Sequence, residues 1–118
     1  MKRILVADDE ANIRLLFEAV LTEDGHEVVC VGTGREAVRK IIKDDYDLII
    51  LDIKMPDMNG LEVVQKIREL KKQTPVIICS AFKHLEDDYV IKTAGVAAYL
   101  TKPVNLVEMK AKVSQLLA

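Results

Sequence analysis

An apolar run of strand length alternates with a stretch of helical period five times along the 118 residues, and no other feature constrains the fold as tightly. Ile4 to Ala7, Glu27 to Val31, Leu48 to Leu51, Val76 to Cys79 and Ala98 to Leu100 read as strands. Helices are expected over about Glu10–Asp24, Arg35–Asp44, Asn59–Lys71, Glu86–Ala94 and Leu106–Leu117. Gly25 and Gly95 are natural helix stops, and Gly32-Thr33-Gly34 leads into the second helix. Asn59 suits the N-cap of the third, whose Leu61, Val64, Ile67 and Leu70 fall on one stripe. Strands spaced by helices imply parallel βαβ units, hence an α/β sheet covered on both faces. Leu48–Leu51, apolar throughout, fits its buried centre. The chain reads as one domain over residues 1–118, without internal repeat or linker.

Charge and composition narrow the function. Hydrophobic residues make up 50% and charged ones 31%, which fits a packed globule rather than a disordered chain. A net charge of −2, with both signs interspersed, offers no basic footprint, so nucleic acid is not expected as a direct partner. No apolar run reaches membrane-spanning length, and MKRILVADDE meets acids too early for a signal peptide, so the expected compartment is the cytoplasm. Cys30 and Cys79 each fall inside an apolar run and read as small core hydrophobes kept reduced. His26 and His84 stand beside charged or turn residues and read as surface groups, with no second ligand at metal spacing.

The strand ends carry the chemistry. In a parallel sheet every strand finishes on the same edge, so Asp8, Asp9, Asp52, Ser80 and Thr101-Lys102-Pro103 should share one rim, where open α/β sheets bind ligands. A lone Asp there would be a loop or capping acid. Three carboxylates together raise one another's pKa unless a cation intervenes. A hard divalent ion with oxygen ligands meets that need, and Mg²⁺ is the cellular default. Lys102 adds a fixed positive charge, and the Ser80 hydroxyl can donate to a bound anion. Metal, ammonium and hydroxyl around one carboxylate describe a site for a phosphoryl group, with an acyl phosphate as the product.

Asp8-Asp9, Asp52 followed by Met55-Pro56 and Gly60, then Ser80, then Lys102-Pro103 together resemble a response-regulator receiver domain of two-component signalling. The resemblance spans essentially the whole chain. It implies a flavodoxin-like five-stranded parallel sheet in the order 2-1-3-4-5. It also implies that Asp52 accepts a phosphoryl group from a sensor histidine kinase or histidine phosphotransfer protein. Asp9, Asp52 and the Lys54 carbonyl would then hold Mg²⁺, with Asp8 acting through the metal's water shell. Lys102 would contact the phosphoryl oxygens and be joined to Pro103 by a cis bond. Ser80 and Tyr99 would switch on phosphorylation, altering the face of the fourth helix, fifth strand and fifth helix. Without the other motifs Tyr99 would be an ordinary strand aromatic.

Lys54 and Phe82 flank the expected site, and a cationic stem and a ring there would hinder attacking water and prolong the phosphoryl group's life. With Ile13-Arg14-Leu15-Leu16, they make the chain similar to single-domain receivers of the sporulation-phosphorelay type, which pass the group on to a downstream phosphorelay protein. A separate output domain is the other expected recipient of the signal. The first helix holds more apolar residues than one core stripe needs, and Ile13 with Val104 is the candidate contact for the donor.

Three competing readings are weaker. Gly32-Thr33-Gly34-Arg35-Glu36-Ala37 matches the dinucleotide fingerprint G-x-G-x-x-A, but leaves Asp8, Asp9, Ser80 and Lys102 unexplained. An aspartate-nucleophile phosphohydrolase wants a second acid where Lys54 stands. A scaffold with a dead site would lack a member of the acid cluster, and none is missing.

Overall fold

The computed structural model describes residues 1–82, 91 and 93–118. Its strands are β1 (Arg3–Ala7), β2 (Glu27–Val31), β3 (Leu48–Asp52), β4 (Val76–Ser80) and β5 (Ala98–Thr101). They form one parallel sheet in the order β2-β1-β3-β4-β5. The helices are α1 (Ala11–Glu23), α2 (Gly34–Lys43), α3 (Gly60–Glu69) and a C-terminal helix, Leu106–Leu117. The helix expected over Glu86–Ala94 lies almost wholly outside the described residues, as does His84.

Alternation along the strands sorts the core into two layers. Leu5, Ala7, Ile49, Leu51 and Ile78 meet Ala37 and Ile41 of α2 and Val63, Val64 and Ile67 of α3. Ile4, Val6, Leu48, Ile50, Ile77 and Cys79 meet Phe17 and Leu21 of α1 and Met109 and Val113 of the C-terminal helix. Successive side chains point to opposite faces, so a strand apolar at every position must be covered twice. All five residues of β3 and of β4 are buried accordingly.

Three helices begin on the same device. Thr33, Asn59 and Asn105 accept hydrogen bonds from the N–H groups of Glu36, Glu62 and Glu108, placing an acid in each first turn against the helix dipole. Asn59 is thus the cap that its position predicts.

Two expectations need correction. α3 stops at Glu69, with Leu70 as its C-cap and Lys71 at φ 60°, closed by bonds from Lys71 N to Arg68 O and Lys72 N to Ile67 O. A left-handed residue ends the helix here without the glycine that would signal it. The buried stripe is Gly60, Val63, Val64 and Ile67; Leu61 is half-buried and Leu70 is 41% exposed, because Leu70 has left the helix. Gly25 and Gly95 do take left-handed conformations, at φ 90° and 75°.

Both cysteines are free thiols. Burial pushes Cys79 up to about 12, and burial followed by Glu18 pushes Cys30 up to about 11. They behave as packing groups, Cys79 in the core and Cys30 at its margin.

Candidate functional site at the strand ends

β1, β3, β4 and β5 deliver their last residues to one edge, where a cleft of about 500 Å³ opens. Asp9, Glu10, Asp52, Lys54, Ser80 and Lys102 are among its lining groups, and Asp8 lies buried beside them. Asp52 ends β3 and is 6% exposed; Asp8, immediately after β1, is 2% exposed. Carboxylates this buried need compensation.

Lys102 supplies it. Its ammonium lies 3.1 Å from Asp52 Oδ2, 3.1 Å from Asp8 Oδ2 and 3.5 Å from Glu10 Oε1. Asp52 Oδ1 accepts from Lys54 N at 3.3 Å, and Asp8 Oδ1 from Glu10 N at 2.9 Å. Burial, and after it the charge of Asp8, still holds the Asp52 carboxyl above its ordinary pKa, against the opposing pull of Lys102. Burial disfavours the Lys102 ammonium too, but its bonds to Asp8 and Asp52 outweigh that and leave its pKa above the usual lysine value.

The acids fit a hard cation. Ligand oxygens of Asp8, Asp9 and Glu10 all lie within 4.8 Å of one another, Asp9 and Glu10 being exposed and Asp8 buried. With Asp52 across the cleft, the donors gathered here among the described residues are oxygens, which suits Mg²⁺. Glu10 belongs to this group although its motif did not single it out.

The other expected residues fall in distinct places. The Ser80 hydroxyl accepts from Phe82 N at 3.0 Å, and Phe82 is 57% exposed at the rim. Tyr99 is half-buried, its hydroxyl donating to the Ile91 carbonyl at 3.0 Å. The Lys102–Pro103 bond is cis. Ile13 and Val104 line a second, apolar cleft beside the first, together with Leu16, Phe17 and Pro103. Ile13 is half-buried against the core, so the surplus apolar surface of α1 belongs to Leu15 and Leu16, at 67% and 42% exposure.

Arg14 is a residue that motif reading missed. Its Nη1 donates to the Asp8 carbonyl at 2.7 Å and so braces the acidic turn from within α1. Gly32 leaves room for it, since a Cβ there would stand 3.1 Å from Nη1. The G-x-G turn is therefore occupied by packing, and the dinucleotide reading has no observation in its favour.

A family model described as the response regulator receiver domain matches residues 4–114. The transcriptional regulatory protein TcrA of Mycobacterium tuberculosis is 39% identical over 114 residues, which cover 97% of this chain and 45% of TcrA. The chain thus spans about half the length of that curated relative. The response regulator TrrA of Thermotoga maritima, solved in complex with Mg²⁺-BeF, is 44% identical, with a TM-score of 0.90 over 99% of this chain and 100% of that one. TrrA in complex with the histidine kinase ThkA aligns over 100% of both chains, at 43% identity and a TM-score of 0.89.

Proposed function

The chain belongs to the response regulator receiver domain family, and from that premise we propose that Asp52 is a phosphoacceptor served by a phosphohistidine donor and Mg²⁺. The observation that carries this reading is the Lys102 ammonium, shared between two buried carboxylates at the floor of an open cleft. Two buried carboxylates share that one ammonium, which leaves negative charge in the cleft for a further cation to neutralise.

Asp9, Asp52 and the Lys54 carbonyl would hold the cation, with Asp8 acting through its water shell. When bound, Mg²⁺ supplies charge neutralisation on the transferred oxygens and among the acids. An Asp52 oxygen attacks phosphorus in line; the new O–P bond forms as the P–N bond to the donor histidine breaks. Lys102 exchanges its contact with the carboxylate for one with a phosphoryl oxygen. The Ser80 hydroxyl, now accepting from Phe82, turns to donate to the same group. Tyr99 would then exchange its bond to Ile91 for a more buried position, which changes the face built on β5 and the C-terminal helix.

A sensor histidine kinase or a histidine phosphotransfer protein fits as donor, a role supported by the TrrA–ThkA complex. Ile13 and Val104 would touch it through the apolar cleft that they line. A downstream phosphorelay protein or an output domain would read the result. No helix among the described residues is long and apolar enough to cross a membrane, which accords with a cytoplasmic site of action.

Intact mass spectrometry after incubation with acetyl phosphate and Mg²⁺ tests the proposal. One added phosphoryl group, absent with EDTA and in Asp52→Asn, is the expected result. An unchanged mass under conditions that phosphorylate an established receiver, or a gain retained by Asp52→Asn, would overturn it.

A further inference from the structure

The loop that follows Asp52 is fastened to a helix far from it in sequence. Asp57 accepts hydrogen bonds from Gly34 N and Arg35 N, each at 2.9 Å and across 23 and 22 residues. Thr33 takes the next N–H, that of Glu36, at 3.1 Å. The first three donors of α2 are therefore divided between its own cap and a carboxylate from the β3–α3 loop. An anion at these unpaired N–H groups also meets the positive end of the helix dipole. Those bonds hold the Asp57 carboxyl below its ordinary pKa.

Neighbouring contacts make this a joint and not a stray surface bond. A Cβ at Gly34 would stand 2.7 Å from the Cβ of Met58, so this glycine exists to let the loop close on α2. At the other end of the loop Gly60 N donates to Ile53 O at 2.8 Å, and a Cβ at Gly60 would meet the Asp52 carbonyl at 2.6 Å. The opposite end of α2 is held as well, by Lys72 bonds to the carbonyls of Ile41 and Asp44. Between these anchors lies Lys54, on the border of the cleft.

We propose that Asp57 is a positioning residue for the metal site: its paired bonds to α2 hold the loop so that the Lys54 carbonyl is set for the cation. The inference rests on the metal reading above. Groups that fix a ligand from behind typically govern affinity about 10- to 100-fold.

The test is a Mg²⁺ titration followed by amide NMR shifts, with amide exchange over residues 53–59, on the native protein, Asp57→Ala, Asp57→Asn and Thr33→Ala. Asp57→Ala should weaken Mg²⁺ binding about tenfold and speed exchange in the loop. Asp57→Asn, with one neutral acceptor, should fall between. Thr33→Ala loosens the same end of α2 without touching the loop and should bind Mg²⁺ as the native protein does. Native-like affinity in Asp57→Ala overturns the inference, as does equal weakening in Thr33→Ala, which would assign the effect to α2 itself. Failure of the native protein to bind Mg²⁺ would instead overturn the metal reading, and the inference with it.

Discussion

The ammonium of Lys102 stands 3.1 Å from Oδ2 of Asp52, linking the end of β5 to the end of β3 across 50 residues. The same nitrogen reaches Asp8, so a single cation keeps two buried carboxylates apart in charge. Much of the behaviour of the domain follows from that shared bond.

Lys102→Met leaves Asp8 and Asp52 buried, adjacent and unpaired. Breaking an enclosed pair costs about 3–5 kcal/mol, and roughly 2–3 is expected here because the cleft admits water. Without the lysine, the burial and the Asp8 charge that already raise the Asp52 pKa lose their main opponent, so the folded state holds the Asp52 proton more tightly than the unfolded chain does. Stability lost at neutral pH should therefore return as pH falls through the carboxylate range. Urea unfolding between pH 4 and 8 measures this; a deficit independent of pH would contradict it.

Asp52→Asn should stabilise the unmodified protein at neutral pH by on the order of 1 kcal/mol, the usual scale when a functional site is relaxed. Burial and the charge of Asp8 raise the Asp52 pKa, so the folded state binds its proton more tightly than the unfolded chain. Its contribution is complete below the ordinary Asp value and is lost as pH rises through the raised one. The advantage of the Asn variant should accordingly open with rising pH. Paired denaturation curves in EDTA would show it, and a variant less stable at every pH would refute it.

Gly60→Ala should cost about 1–3 kcal/mol, since its Cβ would stand 2.6 Å from the Asp52 carbonyl and only backbone movement relieves that contact. Because the displaced backbone carries Asp52, phosphoryl uptake from acetyl phosphate should slow as well. A fully active Gly60→Ala would mean that the loop adapts freely.

Phe82 and Lys54 both line the cleft, with the ring 57% exposed. Phe82→Ala and Lys54→Asn should each speed loss of the phosphoryl group severalfold by admitting in-line water. The decay of the phosphorylated mass with time gives the rate directly. Unchanged decay in both would show that neither side chain guards the group.

The sheet was legible because its signal is local. Leu48–Leu51 is apolar at every position, and a run of that kind is stable only as a strand covered on both faces. Once strands alternate with helices, parallel pairing brings Asp8, Asp52, Ser80 and Lys102 to one edge without further information. The order of strands came from resemblance to a family, since apolar patterning does not rank neighbours in a sheet. Some of the ends were hidden too: Lys71 stops α3 in a left-handed conformation that its residue type does not announce.

What only the tertiary structure decided are relationships between segments distant in the chain. That Ile13 packs while Leu15 and Leu16 face solvent depends on how α1 is rotated against the sheet. That Arg14 braces Asp8, and that Gly32 and Gly34 make room for Arg14 and Met58, depends on which helices meet at the rim. That the Asp57 carboxylate takes the first N–H groups of α2 depends on the β3–α3 loop meeting that helix in space. Periodicity and residue type act over a few positions and so determine strands, helices and the chemistry available at their ends. Hydrogen bonds and close packing act in space, and they decide which of those groups work together.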